Sequence, residues 1–165
     1  MNWYKNNKTD IVKEIKEILK KHSFTSKLMT YYNIPVEDID NHLDIEFLDL
    51  GKDFAKGNGR KILLDKRLLN SDFFTDNFHF VIHEFFHWMK RRSEHNFYFN
   101  DPEEIQSFVL AITWELINNK SKKEIYKKIY PIIKGHFQSD RESVRVFEEM
   151  FQKAVNLMKL YSNNF

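Results

Sequence analysis

Cysteine is absent from the 165 residues of this chain. Disulfides, thiolate-held zinc, iron–sulfur clusters and thiol redox chemistry are thereby excluded, and any metal must be held by histidine and carboxylate. A dominant charge of one sign is lacking too, since 26 basic residues face 24 acidic ones for a formal charge of +2. Such a balance sets up no broad field for nucleic acid or anionic lipid, so neither is expected as a partner. The opening Met1-Asn2-Trp3-Tyr4-Lys5 has no apolar core of a signal peptide, and no apolar run approaches the ~18 residues of a membrane span. A cytoplasmic protein is expected. Repeats, low-complexity tracts and linkers are also lacking, and the length suits one core, so residues 1–165 are expected to form a single domain.

What is present in quantity is aromatic. Phenylalanine occurs 16 times, enough to build much of a core. Ile11, Ile15, Ile18 and Leu19 recur at helical spacing and predict a helix over roughly residues 10–21, with a second short helix over 25–32 ending before Pro35. Leu43, Ile45 and Phe47 alternate with Asp44 and Glu46, which predicts a strand closed by Gly51. Gly57-Asn58-Gly59 reads as a turn, and the apolar run Ile62–Leu64 as a second strand. Phe78, Val81, Ile82, Phe85 and Met89 repeat at three and four, predicting a helix over roughly 75–91.

Further along, Asp101-Pro102-Glu103-Glu104 carries the signals of a helix start: an Asp cap, proline at the first position and acids in the first turn. Ile105, Phe108, Val109, Ile112 and Leu116 would be that helix's buried stripe. Two more helices are expected, over about 121–130 and 140–161, the last burying Val144, Phe147, Met150, Phe151, Val155 and Met158. The expected class is α+β, dominated by helices.

The middle helix holds His83-Glu84-Phe85-Phe86-His87, an HExxH motif. Residues four apart share a helix face, so His83 and His87 can offer their imidazoles to one ion. Glu84 is offset by about 100° around the helix. That keeps it off the metal and near an attacking water, where a carboxylate can act as general base. His79 continues the stripe, but a straight helix puts it ~12 Å from His87 along the axis, too far for both to hold one ion. The ion expected from this donor chemistry is Zn2+, which in hydrolases takes three protein ligands and leaves one position open.

The third ligand has several candidates. His95 lies eight residues after His87 without the glycine spacing of the metzincin pattern. Glu103 and Glu104 begin the following helix. Relative to the expected stripe, Glu104 falls about 100° to one side and Glu103 nearly opposite, which favours Glu104. Asp101-x-x-Glu104 is equally the spacing of a capping box, in which Glu104 would only return to the cap. Glu94 and Glu115 complete the set.

His83-Glu84-Phe85-Phe86-His87, followed by Asn100-Asp101-Pro102-Glu103-Glu104-Ile105, resembles the small gluzincin-type zincins of bacteria and their phages. The resemblance spans roughly residues 43–118. It implies a small antiparallel or mixed sheet packed on the HExxH helix, with Ile62–Leu64 as an edge strand above the cleft, open to an extended peptide. It also implies His83, His87 and Glu104 as zinc ligands and Glu84 as the base. The glutamate follows sooner than in the large thermolysin-like enzymes, so their substrate pocket is not carried over. Tyr98, His95, Tyr126, Tyr130 and His136 are candidates for a transition-state stabiliser.

The expected function is a zinc-dependent peptidase acting on peptide or protein substrates. The alternative is a metal-binding module of the same fold with a structural or regulatory role. The lysines of residues 120–128 read as a solvated face above Ile125, Ile129, Ile132 and Ile133. Trp3, Trp88 and Trp114 read as core or partial core.

Overall fold

The structure, a computed structural model, describes residues 8–57, 60–69, 71–93, 102–137 and 139–162. They form an α+β fold dominated by helices, in two compact units, Met1–Asn100 and Asp101–Phe165.

The first unit begins with α1 (Lys8–Lys21) and α2 (Ser23–Tyr31). Ile11, Ile15 and Leu19 are buried on α1, as the spacing predicts. His22 caps α2 by accepting from the Phe24 N–H at 3.3 Å. A one-turn helix, α3 (Asp38–His42), precedes β1 (Asp44–Leu48). β2 (Ala55–Gly57) and β3 (Lys61–Asp65) complete a three-stranded mixed sheet in the order β1-β3-β2. β1 runs parallel to β3 with Ile45 opposite Ile62 and Phe47 opposite Leu64, and β2 runs antiparallel to β3. All four of those apolar side chains are buried, so the alternation seen in the sequence does set the inward face.

The resemblance placed Ile62–Leu64 at the sheet edge. The structure puts that run in the central strand, paired on both sides, and the edge beside it is β2. The reason is physical: Ile62 and Leu64 are wholly buried, and a near-continuous apolar run suits a strand covered by neighbours.

Lys66–Leu69 makes a 3-10 turn, followed by α4 (Ser71–Asp76) and α5 (His79–Arg92). The single helix expected over 75–91 is thus divided at Asn77-Phe78. Phe74, before the break, and Phe78, within it, are both buried with their rings edge to face, 5.4 Å apart. α5 packs against β2 and β3. Val81, Ile82, Phe85, Phe86, Trp88 and Met89 are buried, each contributing roughly 1.5–3 kcal/mol by leaving water. Arg92 ends the helix by donating to Asp38 at 2.6 Å.

In the second unit α6 (Glu103–Ile117), α7 (Lys122–Lys134) and α8 (Asp140–Ser162) pack on one another. α6 is buried on all sides from Gln106 to Glu115 rather than along one stripe. Ile105 and Leu116, expected in that stripe, are half-buried. α7 starts at a capping box: the Ser121 hydroxyl accepts from the Glu124 N–H at 3.3 Å, and Glu124 accepts from the Ser121 N–H at 2.8 Å. It continues past Pro131 and carries Ile133 into the core beside Ile125 and Ile129. On α8 the buried ladder is Val146, Phe147, Met150, Ala154 and Leu157. The expected stripe was set too wide: Val144 is exposed, while Phe151, Val155 and Met158 are half-buried. Among the described residues no helix is long and apolar enough to cross a membrane.

Candidate metal centre

The half-buried positions of α5 are Phe80, His83, His87 and Lys90, at helical spacing along one side. The Nε2 atoms of His83 and His87 are 3.4 Å apart, with ring centroids at 5.1 Å and planes inclined by 64°. Two nitrogens bound to a tetrahedral zinc, each at about 2.0–2.1 Å, stand about 3.3–3.4 Å apart. As a hydrogen bond the same separation would be long. Neutral imidazole nitrogens are ordinary zinc donors, so this pair fits the ion.

Glu84 is 8% exposed. Its carboxylate lies against the backbone of Gly57, the last residue of the edge strand β2. A Cβ built on Gly57 would overlap Glu84 Oε2 and come within 3.6 Å of the carboxyl carbon. Glu84 therefore leaves the helix beside His83 and ends on the sheet edge. His79 is buried, with its ring 4.5 Å from that of Phe80, in keeping with a polar residue packed at the helix start.

The approach from the strands to β2 is fixed by Asp65 and Arg67. The buried Asp65 carboxylate accepts from the Leu50 N–H at 2.8 Å, from the Arg67 N–H at 2.9 Å and from Arg67 Nε at 2.6 Å. The Arg67 guanidinium, followed by the two backbone donors, holds this carboxyl well below the usual carboxylate range. Arg67 also donates to the carbonyls of Gly51 and Asp53, and its guanidinium sits 4.3 Å from the centre of the Phe54 ring. Phe54 stacks on Phe80 at 5.1 Å. A chain of contacts thus runs from Asp65 through Phe54 to the turn of α5 preceding His83.

In the second unit, Glu104 lies in the first turn of α6 and is half-buried, whereas Glu103 is exposed. The Glu104 carbonyl accepts from the Ser107 hydroxyl at 2.7 Å. Glu115 is buried and ion-paired with Lys128 at 3.4 Å. Tyr126 and Tyr130 stack at 4.4 Å and pack edge-on against Phe147. His136 is exposed beside Phe108. Glu115, Tyr126, Tyr130 and His136 thus each have a partner within the helical unit. Trp3, Glu94, His95, Tyr98 and the Asp101 of the expected cap lie outside the described residues. Lys122, Lys123 and Lys127 are exposed above buried Ile125, Ile129 and Ile133, the solvated face that the sequence suggests.

Gly57 and the Asp65–Arg67 lock were not singled out from the sequence. Asp65 and Arg67 carry no motif. Gly57 had a signal that pointed elsewhere, being read as turn chemistry rather than as close approach in a strand. No protein-family model, no curated protein and no solved structure matches this chain.

Proposed function

We propose that this chain is a zinc-dependent peptidase of the gluzincin type, in which His83, His87 and Glu104 hold the ion and Glu84 is the general base. The observation that carries the proposal is the 3.4 Å separation of the two imidazole nitrogens, the spacing a shared tetrahedral ion needs. It is supported by the donor chemistry, since a cysteine-free chain leaves histidine and carboxylate as its metal donors. The half-burial of Glu104 beside an exposed Glu103 favours the same choice.

His83, His87 and Glu104 would hold a zinc ion, which would supply a water acidified towards neutral pH and a polarised carbonyl oxygen. Glu84 accepts the proton of the attacking water at a carboxylate oxygen and delivers it to the leaving amine, while its burial keeps competing solvent from the carboxylate. The substrate is a peptide or protein, and the edge strand β2 offers backbone groups with which an extended chain can pair. The setting proposed is the cytoplasm.

Purified protein should carry close to one zinc per chain by metal analysis, lost in His83→Ala and in His87→Ala. Glu84→Gln should keep the zinc and lose cleavage of a broad peptide library by at least a hundredfold, the scale of general-base catalysis. A protein that binds no zinc would end the proposal. One that binds zinc and is inert in wild type and variant alike would leave a metal-binding module in its place.

A further inference from the structure

We propose that Gly57 is a positioning residue for Glu84: the edge strand ends in glycine so that the carboxylate can occupy the volume of a missing Cβ. The catalytic consequence rests on the peptidase proposal above, whereas the contact itself does not. Backbone freedom gives no reason for this glycine. Gly51, in the turn after β1, has φ +66° and needs its freedom, but the backbone of Gly57 lies outside the left-handed region. It pairs with Ile62 in a regular antiparallel ladder, a conformation open to any residue and weakened by glycine.

What Gly57 does provide is space. A Cβ there would overlap Glu84 Oε2, with the carboxyl carbon at 3.6 Å and the Glu84 Cβ at 4.0 Å. The atom met first is the end of a flexible side chain rather than a backbone atom, so the acid rather than the sheet yields to a substitution. Because Glu84 is buried, its carboxylate has few other places to go. A methyl group on the strand therefore moves the base off the attacking water while leaving the imidazoles of α5 in place.

The test uses the full chain and two double-mutant cycles. In the first, Gly57→Ala should retain one zinc per chain and its folded spectrum, with kcat on a peptide library down at least tenfold and KM within about twofold. Glu84→Asp, one methylene shorter, should reduce kcat in wild type yet raise it in the Gly57→Ala background. Equal proportional losses in both backgrounds would overturn the proposal.

The second cycle needs no turnover. In metal-free protein, Gly57→Val should lower the urea midpoint when Glu84 is present and leave it unchanged or higher in Glu84→Ala, where valine only improves a strand. The same drop in both backgrounds would overturn the contact. If the midpoints couple and no variant, wild type included, cleaves any peptide, the peptidase proposal fails and the positioning contact stands.

Discussion

At His83 and His87 a separation of a few ångströms carries the functional proposal, in which the residues around them serve as ligand, base and support. Glu84 is buried where His83 and His87 are half-buried, which suits the proposed base, a group that must exchange a proton without competing water. The choice of third ligand is open to a direct comparison. Glu104→Gln should weaken zinc affinity by at least tenfold in a competition titration, while Glu103→Gln should leave it within twofold. A reversed result would reassign the ligand. The sequence reached Glu104 through an expected stripe that α6 does not have, since that helix is buried on all sides. What separates the two acids in the structure is their own exposure.

Asp65 makes a second prediction at this scale. Its carboxyl is held below the unfolded value by Arg67 and two backbone donors. The stability it contributes is therefore fully present above about pH 4, the unfolded carboxylate value, and is lost progressively as pH falls below that. Urea midpoints measured from pH 7 down to pH 3 should decline, and Asp65→Asn should lower the midpoint at pH 7 while flattening that decline. An unchanged pH dependence in the variant would show that Asp65 is not the group involved.

Elements show where local sequence chemistry suffices. α1, β1, β3, α6, α7 and α8 begin and end within a few residues of their expected positions, because apolar period and helix-start chemistry are properties of adjacent residues. The break between α4 and α5 was not legible: the three-four spacing runs through Asn77-Phe78 unchanged. β2 was missed because three residues hold no period, and a glycine-containing triplet reads as a turn. Two measurements bear on this scale. Ser121→Ala removes half of the α7 capping box and should cost about 1 kcal/mol in chemical denaturation. Phe85→Ala, at a wholly buried position of α5 stacked on Trp88, should cost about 3–5 kcal/mol. A loss below about 1 kcal/mol would mean that α5 is not anchored there.

For the whole molecule, a metal bound only by the native state must appear in its stability. Zinc at a hundred times its dissociation constant should stabilise by about 2.7 kcal/mol, read as a rise in melting temperature that EDTA reverses and that His83→Ala abolishes. The absence of cysteine makes that readout clean with respect to thiols, because no sulfur ligand in the unfolded chain competes for the ion. The described residues divide into an α+β unit that carries His83, Glu84 and His87, and a helical unit that carries Glu104. A division into two compact units is a property of long-range contacts, and nothing in the local composition records it.

The sequence by itself determined the chemistry on offer: metal donors limited to histidine and carboxylate, two imidazoles four apart on a helix, and an acid next to the first of them. It also determined which faces of most helices and strands turn inward, because period and side-chain polarity are local. Only the tertiary structure decided that the run Ile62–Leu64 is central rather than edge, that Asp65 and Arg67 fix the approach to β2, and that Gly57 leaves room for the Glu84 carboxylate. Pairing partners and free volume are set by residues distant in the chain, and no spacing within a strand or helix records them.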